Sequence, residues 1–326
     1  MSADFSSLNN VLALSGGVGG AKLALGLSKL LSPEQLTIVV NTADDFEHLG
    51  LSISPDLDTL MYTLADLNNK ELGWGLAGES WQAMDALQQL GGETWFRLGD
   101  RDLATHLERT QRLKAGQALT QVTDYLAKRL GVEHTLLPMT DDTVRTRVKT
   151  AQGELAFQQY FVREQCAPAI TDFYFQGIEE ARPQAALMAI LADPSLDAII
   201  ICPSNPFVSV EPILQLPGVR QAMQASSAPV IAVSPIVAGL AIKGPTAKMM
   251  AELDMPATAL AVADYYQDLL SGYVLDESDR DLLPAIETNT RHAICSATIM
   301  NTLQDRIDLA AVVLQFVERI KRAPKQ

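Results

Sequence analysis

The N-terminal part of the chain has an apolar run, a helical stretch and a second apolar run. Val11–Leu14 is short and continuous, which predicts a buried strand. Residues 21–31 carry leucines at helical spacing, and Ser32-Pro33 predicts the end of that helix. Leu36–Asn41 predicts a second strand. Because strands joined by one helix run parallel, the pattern predicts a βαβ unit whose apolar strands are covered on both faces.

The rest of the chain alternates between helical and extended patterns. An antiparallel hairpin is predicted by alternating positions in 144–150 and in part of 154–162, with Gln152-Gly153 between them. Two further apolar runs predict buried strands at 198–202 and 229–233. Helices are predicted at residues 57–66, 80–90, 102–113, 117–130 and 303–320.

This order of elements predicts an α/β fold with a Rossmann-like parallel sheet core and helices on both faces. The antiparallel pattern interrupts that rhythm, which indicates an inserted smaller α+β cap. We expect a discontinuous core from residues 1–66 and 183–326, with the helical and antiparallel cap at 67–182.

Composition narrows the function classes. The chain has 326 residues, 48% hydrophobic content and a net charge of −14, which argues against general nucleic-acid binding. Its three cysteines form no CxxC pair, which favours a reducing compartment. No apolar run reaches the length of a membrane span. We expect a soluble cytoplasmic protein with no nucleic-acid or membrane partner.

A glycine-rich segment, residues 15–22, follows the first predicted strand. Glycines allow a sharp turn and bring backbone N–H groups close to an anion at a helix N-terminus. The P-loop spacing would need glycine in place of Ala21, and the dinucleotide fingerprint would need glycine in place of Lys22. A tight turn without a ligand is the alternative, but the lysine favours an anion. We expect phosphate to bind at Gly16, Gly17, Gly19, Gly20 and Lys22.

An acidic segment, residues 41–59, follows the second predicted strand and includes Asp44. Ligands bind outside the strand ends of open α/β sheets, and carboxylate oxygens suit Mg²⁺. Asp56 follows Ser-Pro and is expected to cap a helix, whereas Asp58 points to another side and is expected to be functional. We expect Asp45 and Asp58 to be the catalytic residues and the alternative metal ligands.

Two arginines lie in the segment Trp95–Asp102. Arg97 and Arg101 could hold a polar ring edge or a phosphate in a bidentate manner, or they could form surface ion pairs. His106, on the following predicted helix, is at least as typical of a packed or surface histidine as of a ligand.

Polar side chains also follow the later predicted strands. Ser204, Asn205 and Ser234 suit contacts to a nucleobase or ribose, although turn formation alone explains these residue types. Lys248 lies just inside a predicted helix after Gly244-Pro245 and suits a phosphate.

Taken together, these segments resemble the 2-phospho-L-lactate transferase family of coenzyme F420 biosynthesis. One departure is Val18–Ala21, where archaeal members often carry Thr-Gly-Thr-Pro. The resemblance runs in order through Leu14–Lys22, Asn41–Asp45, Ser54–Thr59, Leu98–Asp102, Leu137–Asp142, Pro203–Pro206, Ala232–Ile236, Gly244-Pro245 with Lys248, and Ala263–Asp268.

The resemblance implies a Rossmann-like homodimer that uses Mg²⁺. The implied reaction moves a phospho-carboxylic acid from a GMP-activated diphosphate to the ribitol hydroxyl of the deazaflavin precursor Fo, releasing GMP. Asp58 and Arg97 match the family positions that contact Fo. The glycine segment and the later Ser, Asn and Pro turns would face the guanosine diphosphate portion.

The implied mechanism has the Fo hydroxyl attack the phosphorus distal to guanosine. Lys22, Arg145 or Lys248 would assist electrostatically, and Asp58 would hold Mg²⁺, orient the hydroxyl or take its proton. The residues favour none of the three acids phospholactate, phosphoenolpyruvate and 3-phosphoglycerate.

Two rival functions share parts of this pattern. A related family that resembles the gluconeogenesis factors has the glycine segment and a similar core, but it acts as a non-enzymatic regulator that binds a nucleotide sugar. Leu98–Asp102 and Tyr265–Asp268 fit the transferase better. A nicotinamide dehydrogenase is disfavoured by the interrupted GxGxxG spacing.

Overall fold

The computed structural model describes residues 5–241, 244–288 and 291–322. Its centre is a seven-stranded sheet in which every neighbouring pair is parallel. The strands of the described chain are β1 Val11–Ser15, β2 Leu36–Val40, β3 Phe46–His48, β4 Leu51–Ile53, β5 Thr135–Pro138, β6 Arg145–Thr150, β7 Gly153–Ala156, β8 Ile170–Gln176, β9 Ala198–Ile201, β10 Val230–Val233, β11 Ile236–Val237, β12 Leu240–Ala241, β13 Gly272–Asp276 and β14 His292–Ser296. The central order is β14-β13-β10-β9-β1-β2-β5.

Helices cover both faces of this sheet. They are α1 Gly17–Ser28, α2 Pro55–Leu64, α3 Gln82–Gln89, α4 Asp102–Lys114, α5 Leu119–Arg129, α6 Ala185–Leu191, α7 Glu211–Gln215, α8 Val219–Ala225, α9 Thr246–Glu252, α10 Ala259–Tyr265, α11 Leu283–Ile286 and α12 Leu303–Arg322. Short π-helical turns lie at Gln159–Arg163 and Pro206–Val210, and a 3₁₀ turn at Glu277–Leu282.

Alternate side chains of the central strands belong to different apolar clusters. In β1, Val11 and Ala13 pack in one cluster, with residues of α1, α2, α5 and α12. Leu12 and Leu14 pack in the other, with residues of α6 to α10. Since successive strand residues point to opposite faces, both faces of the sheet are buried. The predicted α/β fold with a Rossmann-like parallel sheet is confirmed.

Three smaller antiparallel sheets surround this core. β6 pairs with β7 and β8, β3 with β4, and β11 with β12. The predicted hairpin therefore forms between β6 and β7 at Thr150–Gly153.

One central strand lies inside the range 67–182 that was predicted as a cap. β5 pairs in parallel with β2 in register Thr37–Thr135 to Val40–Pro138, so it extends the core sheet. An apolar run of this length gives no sign of which sheet it will join, because pairing depends on distant partners. The division into core and cap otherwise stays a prediction.

Within the ranges described above, no helix combines the length and the apolar character needed to cross a membrane.

Candidate active site

The candidate site lies where the order of the central sheet reverses. From β1 the chain proceeds outward through β2 and β5, whereas β9, on the other side of β1, begins the series that leads to β14. Ligands of open α/β sheets bind in the crevice at such a switch point, outside the carboxyl ends of the strands. A cavity of about 540 Å³ opens there, and its wall includes residues that follow both β1 and β9.

The glycine-rich segment forms one end of this cavity. α1 begins at Gly17, so the predicted turn is confined to the residues before it and the later glycines lie in the first helical turn. Gly17 has φ +60, a conformation that side chains rarely adopt. A Cβ at Gly19 would overlap the carbonyl oxygen of Pro203 in the turn after β9. The first N–H groups of a helix have no partner within the helix, so the start of α1 is a candidate anion site in the cavity.

Ser204 joins the two sides of the switch point. Its hydroxyl donates to the carbonyl oxygen of Gly16 at 2.8 Å and accepts from the N–H of that residue at 3.3 Å. Asn205 accepts at Oδ1 from the N–H of Phe207 at 2.9 Å, which fixes the turn after β9. Lys22 donates from Nζ to the carbonyl oxygen of Met300 at 2.7 Å. These lining residues define a polar end built from several distant segments.

Asp56 and Asp58 both line the cavity but face different partners. The predicted capping role of Asp56 is wrong. α2 begins at Pro55 with Ser54 in the cap position, and no side-chain cap hydrogen bond forms there. Asp56 accepts at Oδ2 from Nδ2 of Asn41 at 2.9 Å, and the same oxygen lies close to Gly16. Asp56 therefore belongs to the polar end of the cavity.

Three buried carboxyl groups cluster beside the cavity, and two of them, Asp44 and Asp56, line its wall. Burial, followed by repulsion from Asp56, raises the pKa of Asp44 well above its usual range. Burial also raises the pKa of Asp45 to about 7 and that of Asp56 to about 6. Asp44 accepts from the hydroxyl of Thr146 at 2.8 Å, and Asp45 from that of Ser54 at 2.7 Å. The charges of Arg145 and Arg109 offset the raised pKa of Asp45 only in part, so full ionisation of this cluster is unfavourable without a further cation.

The chemistry of this cluster suits Mg²⁺. Oδ1 of Asp45 is buried and has no hydrogen-bond partner, and the Asp44 side chain lies on the cavity wall. In the described part of the chain, no three His, Cys, Asp or Glu side chains form a group arranged to hold a metal. Mg²⁺ commonly takes only one or two carboxylates and completes its shell with water and substrate phosphate. The donor set therefore fits that ion.

Asp58 is held by a buried arginine that the sequence analysis did not identify. Nη1 of Arg109 lies 3.1 Å from Asp58 Oδ2, and Nη2 donates to Oδ1. His106, on the same helix α4, has Nδ1 3.7 Å from Asp58 Oδ2. Both oxygens of Asp58 accept from one guanidinium, and lone pairs remain for a ligand.

Another part of the cavity wall is apolar and aromatic. Its wall includes Tyr62, Trp74, Phe96, Phe157 and Phe161. Flat side chains of this kind suit a flat ring by stacking or edge contacts. Asp58 lies on the same wall, so a polar group of a ring-containing ligand can meet a carboxylate.

Arg97 lies on the cavity wall, next in sequence to Phe96. Its guanidinium carbon is 4.7 Å from the centre of the Trp81 ring, and Nη2 donates to Asp85 at 3.3 Å. Arg101 instead donates to the carbonyl oxygen of Ala77 at 2.6 Å. Arg97 therefore lies where its guanidinium can contact a ligand if the exposed ion pair with Asp85 is replaced by that contact.

The structure brings most of the predicted site residues to one cavity. The predicted residues on its wall are Gly16, Gly17, Gly19, Lys22, Asp58, Arg97, Ser204 and Asn205, whereas Gly20, Asp45, Ser234 and Lys248 do not line it. Sequence spacing shows which residues follow a strand but not which side chains turn inward.

The predicted residues that lie off the wall are engaged elsewhere. Gly20 is one helical turn inside α1, where a Cβ would be 2.6 Å from the Ser204 hydroxyl. The Ser234 hydroxyl donates to the carbonyl oxygen of Ile236 at 2.8 Å and accepts from its N–H. Lys248 contacts the Glu252 carboxylate and donates to the carbonyl oxygen of Pro168 at 3.1 Å. These residues therefore lie off the cavity wall in this structure, and their part in nucleotide or phosphate binding stays a prediction.

The sequence analysis did not assign two groups of residues to the site. The aromatic side chains come from α2, a π-helical turn and irregular segments, so they share no sequence pattern. Asp102, His106 and Arg109, by contrast, follow helical spacing on α4 and share one face of it. The spacing of four and then three residues between these ionisable side chains was the signal that could have found them. Arg109 itself lies behind the cavity wall.

The sequence is similar to those of proteins from one family of transferases. The sequence model of the family described as 2-phospho-L-lactate transferase CofD matches residues 11–296. A phosphoenolpyruvate transferase of Kitasatospora aureofaciens is 38% identical over 318 residues, which cover 95% of this chain and 98% of that protein. A 2-phospho-L-lactate transferase of Methanosarcina acetivorans is 36% identical over 310 residues, covering 95% and 100%.

A solved structure shares the fold at much lower identity. A member of the UPF0052 family from Bacillus halodurans superposes with a TM-score of 0.61 and 14% identity, covering 94% of this chain and 98% of that one. This likeness concerns the fold alone.

Proposed function

The chain belongs to the 2-phospho-L-lactate transferase CofD family and is a transferase of coenzyme F420 biosynthesis, and we propose that it transfers a phospho-carboxylic acid from a GMP-activated diphosphate to the deazaflavin Fo, releasing GMP. The observation that carries this proposal is a single cavity whose wall combines two kinds of chemistry. A helix N-terminus and buried carboxyl groups supply its polar part, and aromatic side chains together with Asp58 supply the rest.

The donor belongs at the polar end in this proposal. Its diphosphate would meet the first N–H groups of α1 and the side chains of Ser204, Asn205 and Lys22. Anions are stabilised at a helix N-terminus by free N–H groups and the helix dipole. The guanosine would lie on the β9 side of the switch point.

In this proposal the acceptor binds beside the aromatic side chains of the cavity wall. The deazaflavin ring would pack against Trp74, Phe96, Phe157 and Phe161, and Arg97 would exchange Asp85 for a polar edge of the ring. The ribitol hydroxyl would then reach Asp58. This arrangement directs the hydroxyl at the phosphorus distal to guanosine, and GMP leaves with its bridging oxygen.

We also propose that the enzyme uses Mg²⁺, held by carboxylates of the acidic segment, with Asp45 and Asp58 as the residues named from sequence and Asp44 and Asp56 beside them. When bound, the ion would neutralise negative charge on the transferred phosphoryl group. Lys22 would add a fixed positive charge at the same end. Asp58 would orient the acceptor hydroxyl by accepting its hydrogen bond.

The experiment that tests this function offers the purified chain Fo and Mg²⁺ with each of three donors, the GMP-activated forms of phospholactate, phosphoenolpyruvate and 3-phosphoglycerate. Product mass identifies the acid transferred, and GMP is measured in the same sample. One donor should give Fo plus one phospho-acid together with an equal amount of GMP. Release of GMP without a change in Fo mass would contradict Fo as the acceptor.

The non-enzymatic regulator considered from sequence is not adopted, because the family assignment makes the chain a transferase. A homodimer remains a proposal that rests on the resemblance alone. Sedimentation equilibrium measures it directly, and a species of one chain mass at assay concentration would contradict it.

A further inference from the structure

Arg109 is a charged residue on α4 whose side chain is fully buried. Its side chain is 1% exposed, and it lies seven positions after Asp102 and three after His106 on α4. This spacing brings the three side chains to the face of α4 that meets α2. A buried guanidinium is costly unless its donors and its charge are matched, so its partners are informative.

Those partners are almost entirely on one carboxylate. Arg109 donates to both oxygens of Asp58, and Nη1 also lies 3.4 Å from the carbonyl oxygen of Ser52. Burial lowers the pKa of Arg109 and the facing charge of Asp58 raises it, with a net shift upward, so the guanidinium stays charged. The paired N–H groups fix the plane of the carboxylate as well as its position.

A second layer of contacts fixes the arginine in turn. Nη1 of Arg109 lies 3.2 Å from Nδ1 of His106, whose Nε2 lies within ion-pair distance of Oδ2 of Asp102, at 3.2 Å, without the geometry of a hydrogen bond. The hydroxyl of Tyr62 donates to Oδ1 of Asp102 at 2.5 Å. Tyr62 lies on α2, four residues after Asp58, so the chain of contacts leaves α2, crosses α4 and returns to α2.

The members of this network differ in their access to the cavity. Asp58, Tyr62, Asp102 and His106 line its wall, whereas Arg109 lies behind them. A ligand in the cavity can therefore meet Asp58 but not the guanidinium that orients it. Each Asp58 oxygen keeps a lone pair after pairing with Arg109, and these lone pairs can receive a hydroxyl hydrogen.

We propose that Arg109 is a positioning residue, which holds the Asp58 carboxylate in the orientation that accepts the hydroxyl of the acceptor alcohol, and that His106 and Asp102 hold Arg109 in place. This inference rests on the proposed function, because the acceptor hydroxyl is that of Fo. It assigns Asp58 to orientation of the acceptor and leaves Mg²⁺ to the other carboxylates of the acidic segment, because both Asp58 oxygens already face a guanidinium cation that repels a metal ion.

The test compares Arg109→Met, Arg109→Lys, Asp58→Asn and the double variant Asp58→Asn/Arg109→Met with the full-length wild-type chain. Arg112→Met is the matched control, because Arg112 lies on α4 and pairs with Glu108 instead of Asp58. For each protein, kcat, the KM for Fo, the KM for the donor and the melting temperature are measured.

Arg109→Met should lower kcat by about 100-fold with little change in the donor KM, because a misplaced orienting group costs roughly that factor. Arg109→Lys should recover only part of the loss, since an ammonium lacks the paired donors of the guanidinium. The double variant should be no slower than Asp58→Asn alone, because Arg109 acts through Asp58. Arg112→Met should retain wild-type kinetics.

Several outcomes would overturn the role of Arg109. These are wild-type kcat in Arg109→Met, losses that multiply in the double variant, or a fall in melting temperature without a fall in kcat. If Arg109→Met does not fold, the comparison of the double variant with Asp58→Asn still tests the role of Arg109. The double variant removes both charges of the buried pair, so neither is left without its partner. A wild-type chain that transfers no acid to Fo would instead overturn the proposed function.

Discussion

At the scale of single residues, Asp56 and Asp58 show how two carboxylates of one helical turn take different environments. Asp56 faces Asn41 and the glycine segment, whereas Asp58 faces Arg109 on α4. Positions two apart on a helix point in different directions, so the sequence already predicted separate roles. It did not predict the partners, because Arg109 is fifty-one residues from Asp58.

Asp58→Asn keeps the shape of the side chain but removes one acceptor and the negative charge that faces Arg109. Turnover should fall by roughly 100-fold, as expected when an orienting group is lost, while the donor KM changes little. Steady-state kinetics and a separate Fo titration measure the two effects. Asp66→Asn, at an exposed carboxylate paired with Lys70, is the control. Unchanged turnover in Asp58→Asn would contradict every role assigned to this residue.

The buried carboxyl cluster predicts an unusual dependence of stability on pH. Burial raises the pKa of Asp45 to about 7 and that of Asp56 to about 6, above the usual 3.8. At a pH between the unfolded pKa of 3.8 and these raised folded values, the folded chain binds more protons than the unfolded chain. The free energy of unfolding therefore falls as pH rises through this range. In a chelating buffer, the melting temperature should therefore fall from about pH 5 to about pH 8, with a smaller fall in Asp45→Asn.

Addition of Mg²⁺ provides the second arm of that measurement. The ion should raise the melting temperature more at about pH 8 than at about pH 5, because a cation favours the ionised carboxylates. In the chelating buffer, the melting temperature could depend on pH in the same way in the wild-type chain and in Asp45→Asn. That result would contradict the assignment of this dependence to Asp45.

At the scale of elements, the start of α1 depends on its close approach to the turn after β9. A Cβ at Gly19 would overlap the backbone oxygen of Pro203, which cannot move without a shift of that turn. Gly19→Ala should therefore lower the free energy of unfolding by about 1–3 kcal/mol, in the range of overpacking substitutions. Donor affinity should weaken as well, since the same turn carries Ser204.

Gly50→Ala is the matched control for that prediction. Gly50 has φ +73 and open space around its Cβ position, so alanine there adds backbone strain of about 1 kcal/mol without a clash. Chemical denaturation measures both variants. A Gly19→Ala chain as stable as the wild type, with unchanged donor affinity, would show that the two segments are not in close contact in solution.

The elements also show where sequence reasoning ends. The apolar runs of β1, β2, β9 and β10 and the long helix α12 were identified within a few residues of their observed bounds. β13 and β14 were missed, although they complete the sheet. β13 has only Tyr273–Leu275 as an apolar run, and His292–Ser296 mixes polar and apolar residues, so their identity depends on pairing with neighbours brought close by the fold.

At the scale of the whole molecule, the net charge of −14 should slow the approach of an anionic donor. Added salt screens this repulsion over a distance of about 8–10 Å at physiological strength. The kcat/KM for the donor should therefore rise as KCl increases from low to physiological concentration at constant free Mg²⁺. A steady decrease would show that local positive groups such as Lys22 and Arg97 dominate the approach.

The sequence by itself determined the α/β class, the glycine segment after β1 and the acidic segment after β2, because these depend on neighbouring residues and on the ends of buried strands. Only the tertiary structure decided which residues meet. It placed the Ser204 turn against α1, turned Lys248 toward the carbonyl oxygen of Pro168 and brought Arg109 behind Asp58. Such contacts arise from packing between segments far apart in the chain, and residue spacing carries no record of them.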